Sequence, residues 1–322
     1  MNVDDRIFVA GHRGLVGSAM VRALAARGFS NLVTRTRDEL DLRRRDDVDA
    51  FFRAEKPRHV FLCAAKVGGI LANDTYPADF IAENLAIQQS VLENSFRHGV
   101  TRLLFLGSSC IYPRECPQPM KESHLLTGPL EPTNRPYAIA KIAGVEMCWA
   151  YNRQYSTRYL AVMPTNLYGP GDNYDLETSH VLPAMIRKMH EAKVAGHEPV
   201  VLWGSGTPRR EFLYSEEMAD ASVHLMGLSD EGFDAILASK IEPPLINIGV
   251  GDDVSIRELA SCVAEVVGFK GKMTWDSSKP DGTPRKLLDV SRLHRTGWRA
   301  QVGLSEGIAR AYRDFLKSID SN

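Results

Sequence analysis

A tyrosine and a lysine, Tyr137 and Lys141, are spaced so that they could do chemistry together. Residues i and i+4 lie about one turn apart, so both side chains would share one face of a helix. An ammonium held beside a phenol favours the phenolate and lowers the tyrosine pKa from about 10 toward neutrality. Such a tyrosine exchanges a proton with a carbonyl oxygen, and the hydroxyl of Ser108 would add a hydrogen bond there. These three residues predict hydride transfer at a carbonyl carbon.

A glycine turn near the start of the chain predicts a nucleotide site. The apolar run over residues 6–10 is typical of a buried parallel strand, and a helix-like stretch covers 18–27. Glycines permit a tight turn and close approach of backbone to a pyrophosphate, while the helix N-terminus supplies N–H groups and a positive dipole. Strand, turn and helix together predict dinucleotide binding. The turn is Gly11-His12-Arg13-Gly14-Leu15-Val16-Gly17.

Arginines near the second predicted strand, residues 31–37, indicate which dinucleotide binds. Arg35 and Arg37 lie at the strand tip and Arg13 lies in the glycine turn. Guanidinium groups bind phosphate in a bidentate manner, so the three favour the 2′-phosphate of NADP. Solvated surface arginines are the alternative interpretation. Asp41 is predicted either to bind the adenine amino group or to cap the following helix.

The helix that carries Tyr137 and Lys141 is predicted to begin with a cap residue before Pro136. Its catalytic face would line a cleft, with the lysine in reach of the phenol and of the nicotinamide ribose. An apolar stripe at helical spacing predicts that the opposite face is buried, and it consists of Ile139, Ile142, Val145 and Trp149.

The alternation of strand-like and helix-like stretches from residue 6 to about 169 predicts an α/β fold, a Rossmann-type doubly wound parallel sheet. Ligands bind at the carboxyl ends of the strands in such a sheet. Gly11, Arg37, Ala64 and Ser108 all follow predicted strands, so we expect them at one edge. Further strands are predicted over 59–64, 103–107 and 159–164, with a long helix over 77–97.

A looser pattern after Gly169 predicts a smaller second unit. We expect an NADP-binding Rossmann domain of residues 1–169 plus about 215–252. Residues 170–214 plus about 253–322 are expected to form a smaller α/β domain that binds the substrate. Helices are predicted over 181–192 and 256–267, and a further strand of the main sheet over 245–248.

Composition excludes several classes of protein. The chain has 322 residues, of which 44% are hydrophobic and 25% charged, and its net charge of −1 gives no reason to expect nucleic-acid binding. No apolar stretch reaches the roughly 18 residues of a membrane span, and no signal peptide is recognised, so no membrane partner is expected. Five cysteines without a Cys-x-x-Cys pair predict a reducing cytoplasm and argue against a metal site.

Over essentially its whole length the chain resembles the extended short-chain dehydrogenase/reductases that act on nucleotide sugars. The glycine turn and the Tyr137–Lys141 segment are general to that superfamily. Two segments resemble one branch of it, the GDP-keto-sugar epimerase/reductases: Ser108-Ser109-Cys110-Ile111-Tyr112-Pro113 and Lys66-Val67-Gly68-Gly69-Ile70. Other matching segments are 10–14, 136–141, 164–170, 203–207 and 279–286.

This resemblance implies an NADPH-dependent 3,5-epimerase/4-reductase that converts GDP-4-keto-6-deoxy-D-mannose to GDP-L-fucose. A C4 ketone acidifies both C3–H and C5–H, so one oxyanion site, Ser108 with Tyr137, would serve both inversions and the reduction. Cys110 is implied as the base, with its thiolate favoured by nearby positive charge, and His180 as the acid. The residues alone have simpler explanations, a small buried hydrophobe for the cysteine and a helix cap for the histidine.

The binding residues are likewise implied by the resemblance. Lys188, Trp203, Arg210 and Asp281 are expected to contact the diphosphate and guanine of the GDP-sugar. Arg209, Arg285 and Lys286 are cations nearby in sequence, for which surface charge is the usual explanation. The implied NADP contacts are Gly11, His12, Arg13, Gly14, Leu15, Val16, Gly17, Arg37, Asp41, Ala64, Leu106, Gly107, Ser108, Ser109, Tyr137, Lys141, Pro164, Thr165, Asn166, Leu167 and His180.

Two alternative functions share these motifs. An epimerase/reductase that makes GDP-L-colitose from a 3,6-dideoxy keto sugar would invert only C5. A non-catalytic NADP sensor commonly lacks the tyrosine or the lysine, and this chain keeps both. The resemblance also implies a homodimer, formed through a four-helix interface by helices over 77–97 and 137–154.

Overall fold

The computed structural model describes residues 1–279 and 281–320. Pro280 of the matching segment 279–286 and the last two residues of the predicted second domain lie outside the described residues. The strands are β1 (Ile7–Ala10), β2 (Leu32–Val33), β3 (His59–Leu62), β4 (Arg102–Leu106), β5 (Tyr159–Pro164), β6 (Asn166–Tyr168), β7 (Val200–Trp203), β8 (Arg209–Arg210), β9 (Phe212–Tyr214), β10 (Leu245–Ile248), β11 (Val254–Ser255), β12 (Met273–Asp276) and β13 (Arg285–Lys286).

Helices of very different length connect these strands. Within the described part of the chain, none is both long and apolar enough to cross a membrane. The helices are α1 (Leu15–Ala26), α2 (Arg45–Glu55), α3 (Ile70–Thr75), α4 (Pro77–Arg97), α5 (Arg135–Tyr155), α6 (Val181–Val194), α7 (Ser215–Gly227), α8 (Asp230–Leu237), α9 (Ile256–Val267), α10 (Ser291–Arg295) and α11 (Leu304–Asp320).

Six parallel strands form the main sheet, in the order β2-β1-β3-β4-β5-β10. The predicted doubly wound parallel sheet is therefore confirmed, and β10 joins it beside β5 as expected. The chain runs outward from β1 to β2 and then returns to β3 on the other side of β1. This reversal opens a crevice at the carboxyl ends of β1 and β3, the usual ligand position in such a sheet.

Buried apolar side chains cover both faces of the sheet. Successive residues of a strand point to opposite faces, so Phe8 packs in the cluster on one face and Ile7 in the cluster on the other. A third cluster lies among the later elements and includes Met185 of α6, Val263 of α9 and Ile308 of α11. That separate core agrees with a second unit, while the domain boundaries stay a prediction.

Four of the predicted elements have the observed bounds, and two local predictions are wrong. Helices α4 and α9 and strands β5 and β10 begin and end as predicted. Strand β2 has two residues instead of seven, because only Leu32 and Val33 find partners on β1. Ile139 was expected to be buried but is 38% exposed, whereas Ile142 and Val145 pack in the core.

Candidate active site

The glycine turn after β1 is held in a shape that only glycines permit. Gly11 has a φ of +84°, and a Cβ there would lie 2.7 Å from the Ala64 nitrogen at the end of β3. A Cβ on Gly17 would collide with the Gly11 carbonyl. The turn and the first turn of α1 are thus packed together, leaving the N–H groups at the helix N-terminus available to an anion. The buried Nδ1 of His12 has no hydrogen-bond partner within the described residues.

The arginines proposed for a 2′-phosphate do not all converge. Arg35 forms an ion pair with Glu55 at the end of α2, so its charge already has a partner, and its part in the phosphate site stays a prediction. Arg37 is exposed and only loosely paired with Glu83, at 3.4 Å. Arg13 forms no ion pair with any described residue. Arg13 and Arg37 are the two cations left for a phosphate.

Asp41 does not cap α2, so that alternative is wrong. The helix has Arg44 at its N-cap position, without a side-chain cap. Asp41 instead accepts hydrogen bonds from the Arg43 backbone at 3.0 Å and from the Arg43 guanidinium at 2.6 Å. The guanidinium hydrogen bonds lower the pKa of Asp41 to about 2. The carboxylate therefore stays charged beside the loop that follows β2.

Four predicted catalytic residues come together between the end of β4 and the start of α5. The Cys110 thiol donates to the Ser108 hydroxyl at 3.4 Å, and Ser108 also hydrogen-bonds to Tyr137. The Lys141 ammonium lies 5.8 Å from the centre of the Tyr137 ring. It donates to the carbonyl of Leu106 at 2.8 Å, which fixes α5 against the end of β4.

Burial is the largest cause of the pKa shifts in this cluster. It raises the pKa of Tyr137 above the usual value, so the expectation of a lowered tyrosine pKa is wrong for the protein described here. Burial lowers the pKa of Lys141 to about 8. It also raises the pKa of Cys110, against opposing effects of Ser108, Lys286 and Lys141. Burial thus favours the neutral phenol of Tyr137 and the neutral thiol of Cys110, while the nearby lysine charges favour the Cys110 thiolate.

His180 occupies the N-cap position of α6 but makes no side-chain cap. Desolvation lowers its pKa, although the residue as a whole is exposed. No hydrogen bond or ring contact within the described residues joins it to Ser108, Cys110 or Tyr137. The role of His180 as the matching acid therefore stays a prediction.

The predicted substrate residues Lys188, Trp203 and Asp281 lie around one turn after β7. Trp203 is 67% exposed, and the ammonium groups of Lys188 and Lys279 lie 5.7 and 5.4 Å from its ring centre. Asp281 accepts from the Ser205 backbone at 2.9 Å and from its hydroxyl at 2.7 Å. These hydrogen bonds lower the pKa of Asp281. An open aromatic face flanked by cations suits a base attached to a diphosphate.

The pairing of strands β8 and β13 places four cationic side chains on the two faces of these strands. They pair in parallel, Arg209 beside Arg285 and Arg210 beside Lys286. Arg209 and Arg285 both donate to the buried carboxylate of Asp253, at 2.6 and 2.5 Å, and are neutralised there. Successive strand residues point to opposite faces, so the next pair faces away from Asp253.

Lys286, for which the sequence favoured a surface-charge explanation, lies beside the predicted catalytic cysteine. It lines a small polar pocket together with Cys110, Glu131 and Thr283. Burial and then the charge of Arg210 lower the pKa of Lys286. Burial likewise lowers the pKa of Arg210. The Arg-Lys step of the 279–286 segment was the available signal, but alternation along a two-residue strand is not visible in a sequence.

The segment that includes Pro164, Thr165, Asn166 and Leu167 borders the end of β5. Thr165 Oγ1 and Asn166 Nδ2 donate to the carbonyl oxygen of Glu211, at 3.1 and 2.8 Å. This predicted cofactor segment is therefore fastened to the residue that directly follows Arg210. Among the described residues, no group of three or more His, Cys, Asp or Glu side chains is arranged to hold a metal ion.

The family follows from comparison with known proteins. The model of the NAD dependent epimerase/dehydratase family matches residues 7–249. The chain belongs to this family. It is 57% identical over 314 residues to GDP-L-fucose synthase 1 of Arabidopsis thaliana, covering 98% of this chain and 94% of the relative. It is 55% identical over 318 residues to GDP-L-fucose synthase of Escherichia coli (strain K12), covering 98% of each.

Other matches span the same length. GDP-L-colitose synthase of Yersinia pseudotuberculosis is 35% identical over 312 residues, covering 97% of this chain and 98% of the relative. A solved GDP-mannoheptose C4 reductase from Campylobacter jejuni with NADP bound has a TM-score of 0.89 and 40% identity, covering 98% of this chain and 99% of that one. The likeness thus includes the elements after the main sheet as well as the sheet itself.

Proposed function

We propose that this chain is an NADPH-dependent enzyme that epimerises GDP-4-keto-6-deoxy-D-mannose at C3 and C5 and then reduces C4, giving GDP-L-fucose. The observation that carries the proposal is the position of Cys110, hydrogen-bonded to the serine of a Ser–Tyr–Lys reductase site. An ordinary carbonyl reductase needs no thiol there. The GDP-L-fucose synthases of Arabidopsis thaliana and Escherichia coli, each more than 50% identical to this chain, support the same conclusion.

Epimerisation uses the acidity that the C4 ketone confers on its neighbours. Cys110, as thiolate, removes the proton from C3 or C5, and the electron pair moves onto the C4 oxygen as an enolate. Hydrogen bonds from Ser108 and Tyr137 stabilise that oxyanion. His180 returns a proton to the opposite face of the carbon, which inverts the centre. Positive charge on Lys286 and Lys141 favours the thiolate that the first step requires.

Reduction reuses the same oxyanion site. The glycine turn would hold NADPH, whose chemistry would be the supply of a hydride to C4. Tyr137 gives its proton to the C4 oxygen, and its raised pKa keeps it protonated until the transfer. The Lys141 ammonium beside the ring stabilises the phenolate that the transfer leaves.

The residues present fit NADPH on the observations made above. The glycine turn leaves no room for a Cβ at Gly11 or Gly17, and a helix N-terminus faces it. The buried Nδ1 of His12, which has no hydrogen-bond partner within the described residues, could form a hydrogen bond with the cofactor. Arg13 and Arg37 would hold the 2′-phosphate. For the substrate, Trp203 would stack on guanine, and Arg210 with Lys286 would hold the diphosphate.

Incubation with GDP-4-keto-6-deoxy-D-mannose and NADPH tests the proposal. We expect loss of NADPH absorbance and a product with both centres inverted by NMR. Failure to oxidise NADPH with this substrate would refute it. A product inverted only at C5, from a 3,6-dideoxy keto sugar alone, would instead establish the colitose-forming alternative, which the 35% identity to GDP-L-colitose synthase supports less well.

We also propose a homodimer in the cytoplasm. Helices α4 and α5 expose Phe96, Ile139 and Tyr155, and the Phe96 and Tyr155 rings stack at 4.3 Å. Exposed apolar side chains on two adjacent long helices suit a four-helix interface with a second copy. All five cysteines are free thiols, as a reducing compartment requires. Sedimentation of the purified protein at the mass of a monomer would contradict the dimer.

A further inference from the structure

Glu211 is a fully buried acid between β8 and β9. Its Oε1 accepts hydrogen bonds from the backbone N–H groups of Val250 and Gly251, at 2.6 and 2.7 Å. Its Oε2 accepts from the N–H of Leu288 at 3.0 Å. Burial raises its pKa to about 6, although these three donors oppose that shift. A carboxylate so enclosed holds three backbone groups that water does not reach.

The backbone of Glu211 makes further connections. Its carbonyl accepts from Thr165 and Asn166, in the segment proposed to border the cofactor. Its N–H donates to the carbonyl of Lys286 at 3.4 Å. One residue thus joins the cofactor segment, the end of β10 and the strand that carries Lys286.

Gly249 lies in close contact with the Glu211 carboxylate. A Cβ on Gly249 would collide with Glu211 Oε1, so the carboxylate occupies the space where a side chain would stand. The acid is therefore packed directly against the Gly249 backbone, which follows β10.

We propose that Glu211 is a positioning residue for the epimerase/reductase reaction. It holds Arg210 and Lys286, which bind the diphosphate, at a fixed distance from the Thr165–Asn166 segment and hence from the hydride donor. The inference rests on the proposed function. Reacting groups tolerate little error, since a misplacement of about 1 Å costs up to about 10²-fold in rate.

The test compares Glu211→Gln with Glu122→Gln. Glutamine keeps the volume of Glu211, but its NH₂ group cannot accept, so at least one of the three N–H groups loses its partner. Glu122 is a matched control because it is also a buried acid, and it accepts from the Asn247 N–H at 2.9 Å. It makes no hydrogen bond to Arg210, Lys286 or their strands within the described residues.

Glu211→Gln should lower kcat/KM for the keto sugar by about 10- to 100-fold and weaken binding of GDP, with NADPH affinity unchanged. Hydrogen exchange should accelerate at Val250, Gly251 and Leu288. Glu122→Gln should lower the melting temperature and leave kcat/KM and GDP affinity unchanged. Gly249→Ala, which displaces the carboxylate without removing it, should reproduce the Glu211→Gln pattern if the glutamine variant does not fold.

Three results separate the possibilities. Equal losses of melting temperature in both glutamine variants, with GDP affinity intact, would show a purely structural role and overturn the inference. Equal weakening of GDP and NADPH by Glu211→Gln would also overturn it, because the effect would not be specific to the diphosphate side. Lack of turnover by the unaltered protein would refute the proposed function, while the exchange and GDP-binding comparison would still measure the role of Glu211.

Discussion

Two adjacent arginines should give opposite phenotypes when each is replaced by methionine. Arg210→Met removes a half-buried cation on the side of Lys286 and keeps an unbranched apolar stem. A hydrogen bond to a charged group contributes about 1.5–3 kcal/mol, and the structure offers Arg210 no carboxylate partner within hydrogen-bond distance among the described residues. Because about 1.4 kcal/mol is tenfold, the Kd for GDP should rise roughly 10- to 150-fold.

Arg209→Met is the matched control. This side chain donates to the Asp253 carboxylate at 2.6 Å and to the Asp253 carbonyl at 2.8 Å. Its loss leaves a buried carboxylate with Arg285 as its remaining cation, so the melting temperature should fall. GDP affinity should stay at the level of the unaltered protein, because the Arg210 face is untouched.

Calorimetric titration with GDP and a thermal melt measure both variants, and titration with NADPH checks that the cofactor side is intact. Weakening of GDP binding by Arg209→Met as large as that by Arg210→Met would refute the division of the cations into two faces. Unchanged GDP affinity in Arg210→Met would remove Arg210 from the diphosphate site.

Three further predictions concern the catalytic cluster. Tyr137→Phe should slow NADPH oxidation, followed by the loss of NADPH absorbance, by about 10²- to 10⁴-fold. Turnover at the rate of the unaltered protein would show that Tyr137 is not the acid. Cys110→Ala should stop solvent deuterium exchange at C3 and C5, followed by NMR, whereas exchange at the normal rate would exclude the thiol as base. Lys141 has its pKa lowered by burial to about 8, so the folded protein binds fewer protons than the unfolded chain between about pH 8 and 10. The free energy of unfolding of the unaltered protein, relative to Lys141→Met, should therefore rise across that range in denaturant titrations; a constant or falling difference would contradict a buried ammonium.

Elements with strong local signals were predictable from the sequence. Helix α9 has a capping box, Ser255 with Glu258, and ends at Gly268 with a φ of +74°, so its limits are encoded by neighbouring residues. The bounds of β2 are set by its pairing with β1, which no local pattern in residues 31–37 reports. For the same reason the ion pair of Arg35 with Glu55 was not foreseen.

The proximity of the predicted catalytic residues was accessible from the sequence, but their pKa shifts were not. The Tyr-x-x-x-Lys spacing brings Tyr137 and Lys141 near each other on α5, as expected. The direction of the tyrosine pKa depends on how deeply the phenol is enclosed, which is a property of the whole fold. The position of Lys286 beside Cys110 was not predicted, because its neighbours on β8 and in the Cys110 pocket are far away in sequence.

The residues on either side of the short strand β8 disfavour a shift of its pairing register. Two residues of pairing are too few to fix a strand by themselves, and a shift by one would exchange the two faces. A shift in one direction would put Pro208, which lacks an N–H, where Arg209 donates to Pro284. A shift in the other direction would put Glu211 in the position of Arg210, so that a carboxylate would face the proposed diphosphate site. The arginine doublet is thus bracketed by two residues that each make one wrong alignment unfavourable, so correct charge placement is secured before any ligand arrives.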